Sequence, residues 1–97
     1  MKITAFYYLQ YPDRLPADPL FAVSEVYVEV AENGDIDNFD FTYAITICTV
    51  AFLKRHLETH PYYSSPSLIV VERFEDQVIR EALEAILPSI DELATKK

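Results

Sequence analysis

Residues 24–48 read SEVYVEVAENGDIDNFDFTYAITIC, two strand-like runs joined by Asn33-Gly34. Asn-Gly supplies the two positive φ angles that a two-residue type I′ hairpin turn requires. Such a turn fixes the pairing of the strands, so we expect Val28 opposite Phe39 and Tyr27 opposite Asp40. The same register predicts four further pairs: Val30 with Asp37, Val26 with Phe41, Glu29 with Asn38, and Glu25 with Thr42.

This hairpin has one apolar and one acidic face, because successive side chains of a strand point to opposite sides. The predicted apolar face consists of Val26, Val28, Val30, Phe39, Phe41, Tyr43, Ile45 and Ile47. The predicted acidic face carries Glu25, Tyr27, Glu29 and Asp40. We expect helices to cover the apolar face and to leave the acidic face exposed to solvent.

Two helices are predicted after the hairpin. The first has Thr49 as its N-cap and ends near His60, before Pro61. Its predicted inward stripe is Val50, Leu53, Leu57 and His60. The second helix begins at Glu75 or Asp76, and its predicted inward stripe is Val78, Ile79, Ala82, Leu83 and Ile86.

The last residues contain signals for a helix end and a restart. Pro88 is expected to kink or end the second helix. Ser89 and Glu92 then have the spacing of a capping box for a further short helix. Lys96 and Lys97 are placed to complement the dipole of that final helix.

Two more strands complete the predicted fold. Residues 3–10 form the first strand, and the three prolines of residues 11–19 indicate an irregular loop after it. Residues 67–74 contain Leu-Ile-Val-Val at 68–71, apolar on both faces, which predicts a central strand. The chain is therefore expected to form one α+β domain over residues 1–97. Its sheet is mainly antiparallel and four-stranded, in the order strand, hairpin, helix, strand, helix, with helices on one face.

Composition excludes several classes of site. A single glycine among 97 residues excludes the glycine-rich phosphate loops, and a single cysteine, Cys48, excludes an internal disulfide or a multi-thiolate zinc site. We therefore expect no cofactor. No continuous apolar leader is visible at the start, and the charge-free run 41–53 is too short to span a bilayer. The expected location is the cytoplasm.

The charge distribution indicates the kind of partner. The chain has 16 acidic and 8 basic residues, a formal net charge of −8. Residues 13–40 hold eight of the acids and one base, Arg14. A localised negative field repels nucleic acid and anionic membranes and attracts basic proteins, so no nucleic-acid or membrane partner is expected. The predicted partner-binding residues are Glu25, Tyr27, Glu29 and Asp40, with Asp13, Asp18, Asp35 and Asp37 at the rim.

Other residues leave alternative functions open. His56 and His60 have the spacing of two metal ligands on a helix, but Glu58 lacks the position it has in an HExxH motif. Cys48 precedes a helix N-terminus, where a thiol can be activated. These residues keep a small metal-dependent or Cys/His hydrolase as an alternative. The apolar segment 68–71 keeps a dimeric structural or adaptor subunit as another alternative, in which the partner is a second copy of the chain in a homodimer.

Several segments resemble the eighth family of immunity proteins from bacterial polymorphic toxin systems, which include contact-dependent inhibition. The segments in question are Tyr-Pro-Asp at 11–13 with Pro-Ala-Asp-Pro-Leu-Phe at 16–21, Asp-Asn-Phe-Asp-Phe at 37–41, Ile-Cys-Thr at 47–49, and Leu-Ile-Val-Val-Glu at 68–72. Phe74-Glu75 and a helix centred on Ile79 extend the similarity, whereas Val50 stands where that family usually has proline.

The resemblance implies a function. It implies a cytoplasmic, non-enzymatic immunity protein that binds and neutralises the C-terminal domain of one cognate toxin. Toxins of such systems are often nucleases with basic substrate channels, so the implied partner is a basic, nuclease-like domain. The resemblance transfers no catalytic residue and no metal ligand to this chain.

Overall fold

A computed structural model describes residues 1–32, 39–65 and 67–97. The described elements are β1 (Lys2–Tyr8), β2 (Val23–Ala31), β3 (Phe41–Thr49), α1 (Val50–Thr59), β4 (Leu68–Val71), α2 (Asp76–Ile86), a 3₁₀ turn (Leu87–Ser89), α3 (Ile90–Leu93) and β5 (Thr95–Lys96). The strands form one sheet in the order β1-β2-β3-β4, and β5 also pairs with β3. Only the β3–β4 pair is parallel among the described strands. The predicted α+β class and mainly antiparallel sheet are confirmed, and the short β5 is an addition to the four expected strands.

The predicted hairpin register is wrong, although the predicted faces of its strands are right. Val30 pairs with Phe41 rather than with Asp37, and Val28 pairs with Tyr43 rather than with Phe39. The connection between the strands is longer than two residues, because β2 ends at Ala31 and β3 begins only at Phe41. The pairing changes by an even number of residues, so the side chains within β2 and β3 keep their predicted faces, whereas Phe39 and Asp40 precede β3. The Asn33-Gly34 turn itself lies outside the described residues.

The hydrophobic core lies between the sheet and the C-terminal helices. From the sheet, its buried side chains include Val26, Val28, Val30, Tyr43, Ile45 and Ile47. Ile79 and Leu83 of α2 pack against them and are fully buried, as their helical spacing predicts. Phe74 and Ile90 complete the buried cluster. Phe39 does not contribute to it, because it lies exposed before β3.

The ends of the helices agree only partly with the sequence signals. The Thr49 hydroxyl accepts a hydrogen bond from the Phe52 backbone N–H at 3.2 Å, which confirms it as the cap of α1. Helix α2 ends at Ile86, before Pro88. The predicted capping box does not form, since Ser89 closes the 3₁₀ turn with φ −120° and ψ 21° rather than the extended conformation of an N-cap. Lys96 lies in β5 instead of ending a helix.

Helix α1 does not bury its predicted stripe. Its described residues include none that is buried, and Val50 and Leu57 are about half exposed, at 54% and 47%. The helix instead turns Phe52 and His56 toward the protein. The Phe52 ring packs edge-on against Phe21 and Tyr63, with ring centroids 5.7 and 5.6 Å away. These aromatic contacts orient the helix, so Val50 and Leu57 face solvent, whereas Leu53 is partly buried.

Strand β4 lies at the edge of the sheet, not at its centre. Among the described residues it pairs only with β3, through Thr46 to Thr49. Strand β5 pairs with Tyr43 and Ala44 of β3. Strands β4 and β5 therefore pair with successive parts of the same edge of β3. The apolar run in β4 therefore has one strand neighbour, and the Val70 side chain remains exposed.

Candidate partner-binding surface

The outer face is the side of the sheet that lies opposite α2. It consists of Ala5, Tyr7, Glu25, Tyr27, Glu29, Thr42, Ala44 and Thr46. The alternation of β2 produces it, because Val26, Val28 and Val30 point into the core and the residues between them point away. Glu25, Tyr27 and Glu29 are all partly exposed there. Two carboxylates thus flank one aromatic ring along a single rigid strand.

Tyr7 joins this row from the neighbouring strand. It lies opposite Tyr27 in the β1–β2 pair, and its hydroxyl donates a hydrogen bond to Glu29 Oε1 at 2.5 Å. This hydrogen bond to a carboxylate raises the pKa of the Tyr7 phenol. The bond also restrains the Glu29 side chain, so its carboxylate is held in one orientation on the outer face.

Lys97 also contributes to the outer face, a role that the sequence pattern did not predict. Its ammonium group lies 5.3 Å from the centroid of the Tyr27 ring, and its backbone N–H donates to the Thr42 carbonyl at 2.8 Å. A cation over a tyrosine ring is attracted by the negative face of the ring. The pairing of β5 with β3 supplies this placement, and that pairing has no local sequence signal. Tyr27 is therefore already in contact with a positive charge.

A shallow hollow of about 160 Å³ lies beside this lysine. Glu25 and Lys97 line it with opposite charges, and Ala44 is among its apolar lining residues. Ile45 and four hydroxyl-bearing residues complete the lining: Thr46, Ser65, Ser67 and Thr95. The outer face therefore combines a carboxylate, an aromatic ring and several neutral hydrogen-bonding groups.

The predicted site residues do not form one patch. Glu25, Tyr27 and Glu29 lie together, but Ala44 rather than Asp40 lies opposite Tyr27. Asp40 precedes β3, where its Oδ2 accepts the Glu32 backbone N–H at 2.7 Å and its own N–H donates to the Val30 carbonyl. Asp40 therefore closes the end of the hairpin rather than contributing to the middle of the face.

The predicted rim residues are also separated. Asp13 and Asp18 are exposed in the loop before β2, at the opposite end of that strand from Asp40. The Asp18 Oδ1 accepts the Leu20 backbone N–H at 3.0 Å, so this carboxylate stabilises its own turn. Nine residues of β2 separate these ends by about 26 Å. Asp35 and Asp37 lie outside the described residues.

The residues that suggested a hydrolase are not arranged as a reactive group. Cys48 is fully buried, and burial raises the pKa of its thiol, which disfavours the reactive thiolate. The His56 and His60 rings stack on each other, with centroids 4.3 Å apart. Within residues 1–32, 39–65 and 67–97, no group of three or more His, Cys, Asp or Glu side chains could hold a metal ion.

The tyrosines outside the outer face have mainly structural contacts. Tyr8 and Tyr11 pack edge-on against Phe74, whereas Tyr62 is exposed in the loop after α1. The Tyr8 hydroxyl also donates to Asp76 at the start of α2. Burial, and then this bond, raise the pKa of the Tyr8 phenol.

Comparisons with protein-family models, with curated proteins and with solved structures find no match to this chain. The resemblance to immunity proteins therefore stays a prediction that rests on the sequence segments alone. None of the helices in the described part of the chain is long and apolar enough to cross a membrane.

Proposed function

We propose that this chain is a non-enzymatic immunity protein, which binds and neutralises a cognate toxin domain through its outer face. The observation that supports this proposal most directly is the row Glu25, Tyr27 and Glu29, which lies on a sheet face opposite the core helices. In this proposal the toxin is a basic, nuclease-like domain of a bacterial polymorphic toxin, and the two proteins meet in the cytoplasm.

Electrostatics explains why such a face suits a basic partner. The net charge of −8 produces a long-range attraction for a cationic protein, which speeds the encounter. Once the proteins meet, the two glutamates are placed to pair with lysine or arginine side chains, and Tyr27 offers an aromatic surface between them. Occupation of a basic channel by these carboxylates would exclude the phosphates of a nucleic-acid substrate.

The pre-formed strand geometry favours tight binding. Glu25, Tyr27 and Glu29 belong to the nine-residue strand β2, which is paired on both sides. Tyr7 restrains Glu29 further through its hydrogen bond. Side chains on a rigid strand lose less conformational entropy on binding than side chains on a loop. The face therefore resembles the pre-organised surface of a stoichiometric inhibitor more than a cleft for a substrate.

A double charge reversal tests the proposal. We expect Glu25→Lys combined with Glu29→Lys to weaken binding of the toxin domain by about 100-fold or more, because disrupted interfacial charge pairs cost on the order of 2–5 kcal/mol. The partner is sought in the neighbouring open reading frame, as a large secreted protein with a basic C-terminal domain. Titration calorimetry measures the affinity, and growth of cells that express the toxin domain measures protection.

A matched control separates a specific site from general charge. Glu81→Lys combined with Glu92→Lys changes the net charge by the same amount, but these exposed residues lie on α2 and α3. The control is expected to retain affinity within about tenfold and to protect cells. Equal loss of affinity in both double variants would contradict the assignment of the outer face. Circular dichroism of each variant confirms that the fold is retained.

A further inference from the structure

The shallow hollow of the outer face lies at a junction in the edge of the sheet. Strand β4 begins at Leu68, opposite Thr46, and β5 begins at Thr95, opposite Ala44. Ile45 of β3 lies between these two pairs. Because β4 runs parallel and β5 antiparallel to β3, the two strands lead away from this point in opposite directions. The hollow of about 160 Å³ therefore occupies the place where the two strand starts meet.

Two opposite charges line this hollow without neutralising each other. Glu25 and Lys97 form no salt bridge with one another or with any other residue in the described parts of the chain. The described hydrogen bonds of Glu25 use its backbone N–H and carbonyl, which leaves its carboxylate for a ligand. The hollow thus offers one anion and one cation to the same small bound molecule.

Hydroxyl groups supply neutral hydrogen-bonding partners in the same hollow. The Ser65 hydroxyl donates to Thr46 Oγ1 at 2.8 Å, and the Ser67 and Thr95 hydroxyls share one hydrogen bond of 3.2 Å. A hydroxyl can donate one hydrogen bond and accept two, so each pair keeps one O–H group that is not used within the pair. These contacts hold the hydroxyls in place and leave part of their hydrogen-bonding capacity for a ligand.

We propose that this hollow binds a small zwitterion, an α-amino acid with a short polar side chain such as serine. The ammonium group of the ligand pairs with Glu25, and its carboxylate pairs with Lys97. An α-amino acid carries both charges on one carbon atom, so a single small molecule can complement both protein groups. A volume of about 160 Å³ corresponds to about five water molecules, which suits an amino acid of this size.

The pair of charges disfavours simpler ligands. A small anion is attracted by Lys97 but repelled by Glu25, and for a small amine the two effects are reversed. A neutral polyol can use the hydroxyl groups but complements neither charge. The hollow is shallow, and water weakens each exposed ion pair, so we expect a dissociation constant on the order of 1 mM. The ligand binds the chain alone, so this proposal does not depend on the proposed toxin binding.

Titration of the ¹⁵N-labelled chain with L-serine, up to about 20 mM, tests the site. We expect saturable shifts of the backbone amides of Thr46, Ser67 and Thr95. N-acetylserine lacks the ammonium charge and ethanolamine lacks the carboxylate, so each is expected to bind about fivefold more weakly or worse, because hydrogen bonds to charged groups are the stronger ones. No saturable shift with L-serine, or equal binding of the three compounds, would overturn the proposal.

Matched substitutions assign the ligand charges to their partners. Glu25→Gln and Lys97→Gln are each expected to weaken L-serine binding about fivefold or more. Glu29→Gln and Lys96→Gln change the net charge by the same amounts, but neither residue lines the hollow, so binding is expected to stay within about twofold. Equal losses in the two sets of variants would show that general charge is responsible and would refute the site. Thermal melts check that every variant remains folded.

Discussion

Tyr43 shows how one side chain can join the sheet to the C-terminal helices. It is fully buried on the inner side of β3, and its hydroxyl donates a hydrogen bond to Asp91 in α3. Burial, and then the bond to Asp91, raise the pKa of Tyr43 to about 12. The folded protein therefore holds this proton more tightly than the unfolded chain, in which a tyrosine ionises near pH 10.

This difference predicts alkaline destabilisation. The contribution of Tyr43 to stability is complete below pH 10 and is lost as the pH rises from 10 to 12, because the unfolded chain releases its proton first. The measurement is the free energy of unfolding in urea at pH 9 and pH 11. Tyr43→Phe is expected to be less stable at pH 9 but to lose less stability between these pH values. An identical pH dependence in both proteins would contradict the prediction.

Lys97 allows a second prediction at the level of one residue. Its ammonium group occupies the Tyr27 ring on the outer face, where a cation of the toxin is proposed to bind. We expect Lys97→Gln to increase toxin affinity by about two- to fivefold, because exposed cation–π contacts are worth about 0.5–1 kcal/mol. Isothermal titration calorimetry of the complex measures the change.

The neighbouring lysine supplies the control for this variant. Lys96→Gln removes the same charge, but the Lys96 ammonium lies 3.7 Å from the ring of Phe41, which belongs to the other side of the sheet. Its effect on affinity is expected to stay below twofold. Equal effects of the two substitutions would mean that net charge, and not the position over Tyr27, determines the gain.

At the scale of secondary-structure elements, the two long helices contribute unequally to stability. Helix α2 inserts Ile79 and Leu83 into the core, whereas none of the described residues of α1 is buried. Periodicity alone cannot separate these cases, since both helices have apolar residues at helical spacing. The difference arises from tertiary contacts. The aromatic ring of Phe52 packs against Phe21 and Tyr63, and these contacts give α1 an orientation that differs from the predicted one.

A pair of truncations measures this inequality. Ile79→Ala is expected to reduce the free energy of unfolding by about 2–5 kcal/mol, because it opens a cavity in a fully buried site. Leu57→Ala is expected to cost less than about 1 kcal/mol, since its side chain is half exposed. Urea denaturation provides both values. A larger loss for Leu57→Ala than for Ile79→Ala would contradict the described packing.

The strands show how far the sequence predicts the sheet. The alternation in β2 predicts correctly that Val26 and Val28 point inward and that Glu25 and Glu29 point outward. The pairing partners of these strands were not predictable from Asn33-Gly34. The actual connection also depends on Asp40, which forms hydrogen bonds with the backbone of Glu32 and Val30 at the end of the hairpin. The apolar composition of β4 likewise gave no indication of its edge position, because an apolar run does not reveal that β3 is the only described strand that pairs with it.

At the scale of the whole molecule, the predicted acidic surface separates into distinct regions. The central region of Glu25, Tyr27 and Glu29 could be predicted, because it depends only on the alternation within one strand. Asp18 and Asp40 satisfy backbone donors at opposite ends of the sheet, and such roles depend on loop geometry that composition does not reveal. The position of Lys97 depends on contacts that are distant in sequence.

The proposed function requires that a toxin domain binds the outer face of the sheet. The most direct measurement is the map of backbone amide chemical-shift changes in the ¹⁵N-labelled chain upon addition of the unlabelled toxin domain. We expect the largest changes at Tyr7 and at residues 25–29, with small changes in α2. Changes concentrated on α2 and α3, with residues 25–29 unaffected, would contradict it.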